Sequence, residues 1–161
     1  MIEKEDLIKL IIPAKPEYVS IARLACSGAA GRMGYSFDDI EDIKVAVSEA
    51  CTNVVKHAYK QRPSAGTIEL NIECANNSLT IIVIDNGASF KAEEVLNDLK
   101  PIDPSMSLDE VGEGGLGLFL INTLMDEVTI SSDFGVIVKM AKFLKRDGVE
   151  QSANKVSTAT E

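Results

Sequence analysis

A glutamate, an asparagine and a histidine recur at four-residue steps in Glu49-Ala50-Cys51-Thr52-Asn53-Val54-Val55-Lys56-His57-Ala58. On a helix that spacing stacks the three side chains along one side. An asparagine amide oxygen is a hard, neutral ligand, suited to one position of a Mg2+ ion whose other positions go to phosphate oxygens and water. A carboxylate one turn earlier can orient a water or a hydroxyl for attack on a γ-phosphate. An isolated E-x-x-x-N is nonetheless most often a solvated polar stripe. His57 alone reads as a hydrogen-bonding structural residue. The stripe gains weight only beside two further stretches.

The first is Asp85-Asn86-Gly87, at the end of an apolar run. Asn-Gly is a good turn pair, and alone that reading wins. The functional alternative is a carboxylate at the floor of an apolar pocket that accepts the adenine amino group, with Gly87 letting the base approach the backbone. The second is Gly112-Glu113-Gly114-Gly115-Leu116-Gly117-Leu118. Gly112, Gly114 and Gly117 fit G-x-G-x-x-G, but a dinucleotide fold needs a strand directly before that motif, and here a polar loop precedes it. No G-x-x-x-x-G-K-[ST] occurs either. Glycines that lead into a helix still form a cradle of free N–H groups for an anion, so phosphate binding survives where both familiar motifs fail.

These residues need elements to position them. Leu7 to Ile12 reads as a strand ending at Pro13, and Glu17 to about Gly31 as a helix closed by glycines. Ser36 caps a long helix, with Asp38 and Asp39 near its positive end. Its stripe is Phe37, Ile40, Ile43, Val47, Ala50, Val54 and Ala58, running to about Tyr59. Thr67 to Ala75 and Leu79 to Ile84 form a hairpin about Asn76-Asn77. A short helix over roughly Ala92 to Leu99 precedes a loop over Lys100 to Glu113, which holds two prolines and several acids. Leu116 to Met125 is helical, and Glu127 to Ser132 pairs with Val136 to Phe143 about Asp133-Phe134-Gly135. The order predicts an α+β fold: a two-layer α/β sandwich with a mixed, mainly antiparallel sheet and helices on one face.

The 161 residues form one domain over 1–145, with a polar, frayed tail over 146–161. With 45% hydrophobic and 25% charged residues, the chain is an ordinary globular protein. No run approaches the ~18 apolar residues of a membrane span, and the start lacks a signal peptide, so a cytoplasmic location is expected. Cys26, Cys51 and Cys74 show no C-x-x-C spacing and imply neither disulfides nor zinc; Cys51 reads as a buried, inert thiol. A net charge of −9 argues against nucleic acid as main partner.

The three stretches resemble the N, G1 and G2 boxes of the Bergerat-fold ATPases and kinases, the superfamily of gyrase, the histidine kinases and the mismatch-repair ATPases. The fit is closer still to the small bacterial anti-sigma factor serine kinases, the RsbW-like family that controls the general-stress sigma factor B. Pro13-Ala14-Lys15-Pro16-Glu17-Tyr18-Val19, Val47-Ser48-Glu49-Ala50-Cys51-Thr52-Asn53, and Gly114-Gly115-Leu116-Gly117-Leu118 with Leu124-Met125-Asp126-Glu127-Val128 are similar to that family. The resemblance covers about residues 7 to 144.

It implies a homodimer that sequesters a sigma factor and uses ATP and Mg2+ to phosphorylate a serine on a small anti-anti-sigma protein. Asn53 would ligate Mg2+ and Glu49 would be the catalytic carboxylate. Asp85 and Gly87 would hold adenine, and Gly112, Gly114, Gly115 and Gly117 would close on the phosphates. Arg23 matches a partner-binding position, with a solvated helix arginine the plain alternative. In some relatives an arginine stands where this chain has Glu113, and threonine where it has Val136; both departures remove a polar contact to the nucleotide and neither removes the site. Two other readings stand beside the kinase. One is a binding module in which ATP only sets conformation. The other is a detached histidine-kinase catalytic domain, against which stands the single histidine, His57, inside the nucleotide helix.

Overall fold

Apolar residues at every second position give the strand Thr67–Cys74 a single buried face, toward the helices described below, whereas the strands Ser78–Asp85 and Ile137–Phe143 bury residues of both parities, Ile82, Ile84 and Ile137 as well as Ile81, Val83 and Met140. The structure, a computed structural model, describes residues 5–61, 66–86, 100–101, 115–131 and 137–145. Its elements are β1 (Asp6–Pro13), a 3-10 turn (Pro16–Tyr18), α1 (Val19–Met33), α2 (Phe37–Gln61), β2 (Thr67–Cys74), β3 (Ser78–Asp85), β4 (Lys100–Pro101), α3 (Gly115–Leu124), β5 (Glu127–Ser131) and β6 (Ile137–Phe143). The sheet order is β1-β2-β3-β6-β5-β4. Every described pair is antiparallel, so the parallel component expected of a mixed sheet is not seen among the described residues.

Register carries the core across the sheet. Leu70 faces Val83, which faces Val138, and Ile72 faces Ile81, which faces Met140; all are buried. The same parity places Asp85 and Lys142 on that helix-facing side. The central helix, α2, meets β3 and β6, with α1 packed on one flank over β2 and α3 on the other over β5. Ile43, Val47 and Val54 of α2 are fully buried, each contributing about 1.5–3 kcal/mol of apolar transfer.

Local chemistry caps the helices. Gly34 adopts φ 95°, and its N–H meets the carbonyls of Ala30 and Gly31, closing α1 in the left-handed manner that glycine favours. The Ser36 hydroxyl accepts the Asp39 N–H at 3.1 Å as the cap of α2. The first helix is shifted: residues 16–18 form a 3-10 turn and α1 runs on to Met33. Phe37 does not belong to the buried stripe; at 75% exposed it lies in the first turn, before α2 reaches the core. Lys100 and Pro101, read as loop, pair with Ile130 and Thr129 at the sheet edge, where tertiary pairing overrides weak strand propensity. The short helix expected over 92–99 lies outside the described residues.

All three cysteines are free. Burial pushes the Cys51 thiol up to about 12 and raises Cys26 as well, consistent with packing rather than reactivity. No helix among the described residues is long and apolar enough to cross a membrane.

Candidate nucleotide site

α2 and α3 meet where the sequence puts its chemistry. A methyl group built at Gly117, in the first turn of α3, would sit 2.8 Å from Glu49 Oε2 and 3.5 and 3.7 Å from the two ends of the Asn53 amide. A residue without Cβ lets the α3 backbone approach while the Glu49 carboxylate stays in place; the Asn53 amide would be in ordinary contact with a methyl group. α3 begins at Gly115 as described, and a helix start offers backbone N–H groups that its own turns do not use. A carboxylate, an amide and the first turn of α3 thus converge at one end of the α2 stripe.

His57 stands at the other end, about 12 Å further along the axis. Its Nδ1 lies 3.7 Å from Asp85 Oδ2, with the Asp85 side chain only 1% exposed. Asp85 ends β3 opposite Ile68, and its parity turns the carboxylate toward α2. The turn beyond it is anchored by the Asn86 N–H, which donates to the Thr67 carbonyl at 3.0 Å. A buried acid at the end of β3 and a polar stripe leading to the start of α3 make up the candidate site.

Two buried polar atoms of that stripe, Asn53 Nδ2 and His57 Nδ1, have no hydrogen-bond partner among the described residues. An unsatisfied buried donor or acceptor costs about 1–3 kcal/mol, so a polar ligand that reached them would recover that cost. A neutral amide beside a carboxylate and a helix start fits a Mg2+-bound phosphate, with oxygen ligands for the ion and helix-start N–H donors for the anion.

Of the residues read from the sequence, Glu49, Asn53, Asp85 and Gly117 are arranged along one stripe, and Gly115 opens the helix that carries Gly117. Gly87, Gly112 and Gly114 lie outside the described residues, as do Glu113 and Val136. Arg23 sits on α1, half-buried, with Nη1 donating to Ser48 Oγ at 3.3 Å, so it is tied to α2 rather than simply solvated. Exposed Ile21 and Leu24 flank it. His57, read as structural, is the residue beside Asp85. Only a contact between helix and sheet reveals that, and no spacing along the chain encodes it.

Residues 12–142 match the histidine kinase-like ATPase domain. The chain is 50% identical over 145 residues to the serine-protein kinase RsbW of Bacillus licheniformis, covering 90% of each protein. To the serine-protein kinase RsbW of Halalkalibacterium halodurans it is 48% identical over 161 residues, covering 99% of this chain and 98% of the relative. To that of Bacillus cereus it is 47% identical over 158 residues, with 98% of each covered. A boundary that takes in the α2 stripe, Asp85 and Gly117 together, and relatives matched from end to end, leave one conclusion: the chain belongs to the RsbW family of serine-protein kinases, built on the histidine kinase-like ATPase domain.

Proposed function

We propose that this chain transfers the γ-phosphoryl group of Mg-ATP to a serine of a small anti-anti-sigma protein and, unless released, sequesters an alternative sigma factor of the general-stress, sigma-B type. The observation that carries the reading is the packing of Gly117 against Glu49 and Asn53. It puts a candidate base and a candidate metal ligand at the start of the helix suited to phosphate.

In this reading Glu49 accepts the proton of the serine hydroxyl as the serine oxygen bonds to the γ-phosphorus. The bond from that phosphorus to the bridging oxygen breaks, and ADP leaves with the electron pair. Asn53 would hold Mg2+, which when bound neutralises charge on the triphosphate. Gly112, Gly114, Gly115 and Gly117 would bring backbone N–H groups to the phosphates, and Asp85 with Gly87 would hold adenine. Arg23, with Ile21 and Leu24 exposed beside it, supports a partner-binding surface on α1. The edge of β1, unpaired among the described residues and with exposed Leu7, Ile8 and Ile11, supports a homodimer, which the mass in solution checks. The setting proposed is the cytoplasm, with no direct nucleic-acid or membrane partner.

The deciding experiment mixes purified protein, radiolabelled ATP, Mg2+ and candidate small acceptor proteins, and resolves the product for phosphoserine. Label on an acceptor serine is expected; nucleotide binding with no transfer would replace the kinase with an ATP-gated binding module. Two variants refine the assignment. Asp85→Asn turns an acceptor into a mixed donor and acceptor, so ATP affinity should fall roughly 10- to 100-fold, the equivalent of about 1.5–3 kcal/mol for a hydrogen bond to a charged group. An unchanged preference for ATP over GTP would count against adenine at Asp85. Gly117→Ala should keep the fold, since alanine favours a helix by about 1 kcal/mol. The methyl must displace the Glu49 carboxylate, and kcat should fall about tenfold or more. A wild-type kcat would show that this contact is immaterial.

A further inference from the structure

Lys142 is a lysine whose side chain is only 7% exposed, in the core-facing row of β6, and nothing in the proposed chemistry uses it. Its Nζ donates to the carbonyl of Leu124, the last residue of α3, at 2.5 Å. The same ammonium lies 3.8 Å from Asp39 Oδ1 and 3.6 Å from Asp42 Oδ2, both in the opening turns of α2. The last turn of α3 carries no basic residue of its own, so this ammonium supplies the cation that a helix C-terminus favours. Lys142 therefore joins the end of α3 to the beginning of α2.

Its own backbone is held on both sides. The Tyr35 hydroxyl donates to the Lys142 carbonyl at 2.5 Å, and burial pushes that phenol up to about 12, so it stays a donor. The next N–H, of Phe143, donates to Asp126 Oδ2 at 2.7 Å, and the Asp126 N–H returns to the Ala141 carbonyl at 2.9 Å. The ammonium is thus presented from a fixed strand.

α2 and α3 run antiparallel, because Gly117 meets Glu49 and Asn53 while Leu124 is tethered to Asp39 and Asp42. Two points then determine where α3 lies along α2: the glycine contact at one end and Lys142 at the other, with buried Ile121 packed between. At Gly117 even a methyl group would press on the Glu49 carboxylate, so a small slide or rotation of α3 changes the setting of Glu49.

We propose that Lys142 is a positioning residue for the nucleotide site, a charged clamp at the far end of α3 that sets the placement of Gly117 against Glu49 and Asn53. The proposal rests on the nucleotide reading above. It adds a residue remote from the reacting atoms that governs them through helix placement.

The test compares wild type, Lys142→Met, Lys142→Arg and the double variant Asp39→Asn/Asp42→Asn, at a temperature where circular dichroism shows each folded. Lys142→Met should weaken ADP binding and lower kcat for acceptor phosphorylation about tenfold each, within the hundredfold that a misplacement of about 1 Å can cost. Amide exchange across 118–124 should quicken selectively in the nucleotide-free protein. Lys142→Arg should restore most of both. A lowered melting temperature with ADP affinity and kcat within about twofold of wild type would overturn the proposal, since a purely structural lysine acts that way. If Lys142→Met does not fold, the double variant, which leaves the lysine in place, decides by the same measurements: weaker ADP binding supports the clamp and unchanged binding overturns it. A wild type that binds no ADP removes the nucleotide reading, and faster exchange in α3 still tells whether Lys142 holds the helix.

Discussion

Glu49→Gln should abolish nearly all phosphoserine formation, with a loss of about 10^2–10^4-fold in kcat, the range that general acid–base catalysis contributes. Glutamine keeps the length and volume of the side chain, so the packing against Gly117 persists and the fold should be unaffected. What disappears is the capacity to accept a proton at that place. ADP binding should stay within about twofold, because a residue that acts in the transition state lowers kcat without weakening the ground state. Measuring kcat and ADP affinity on the same preparation separates the two. Phosphorylation at the wild-type rate would remove Glu49 from the chemistry, and an equal loss of binding and turnover would make it a nucleotide-binding group instead.

Asn53→Ala carries the second large effect, and it has two signs. Removing the amide should lower affinity for Mg-ADP about 10- to 100-fold, comparable to the loss of a supporting ligand at a metal site, while affinity for ADP in chelator stays near its original value. Stability without nucleotide should hold or rise by about 1 kcal/mol, because the substitution deletes a buried Nδ2 that has no partner among the described residues and introduces a better helix former. Titration calorimetry with and without Mg2+, together with urea unfolding, reads both. A magnesium dependence identical to that of wild type would take the ion away from Asn53. The combination of tighter folding and weaker binding is the signature of a residue kept for its ligand rather than for the protein.

Much of this was legible in the chain because helix and strand periodicities report faces. Four-residue spacing put Glu49, Asn53 and His57 on one stripe, and the end of an apolar strand marked Asp85. The glycine at 117 was assigned to a helix start by its neighbours. Periodicity says which way a side chain points but not what stands opposite, so the approach of His57 to Asp85 and the tie from Arg23 to Ser48 had no local signal. Lys142 did leave one: it shares the parity of Val138 and Met140, both fully buried. A lysine at a core position demands a carbonyl or an acid as partner, yet its partners are distant in sequence. Phe37 misled in the opposite sense, since an apolar residue at the correct step still lies outside when the helix begins before the sheet does. The two-residue β4 was invisible because its pairing comes entirely from β5.

The two margins of the sheet are unlike. Among the described residues β1 spans eight and β4 two, the second of them a proline that has no N–H to give. Head-to-tail stacking would require β1 of one molecule to bond to β4 of the next, two margins of unequal length among the described residues. Like margins can still meet, β1 against β1, in an isologous contact that consumes both open edges at once. A sheet extended through β1 against β1 therefore closes at two chains and leaves no open β1 ladder for a third.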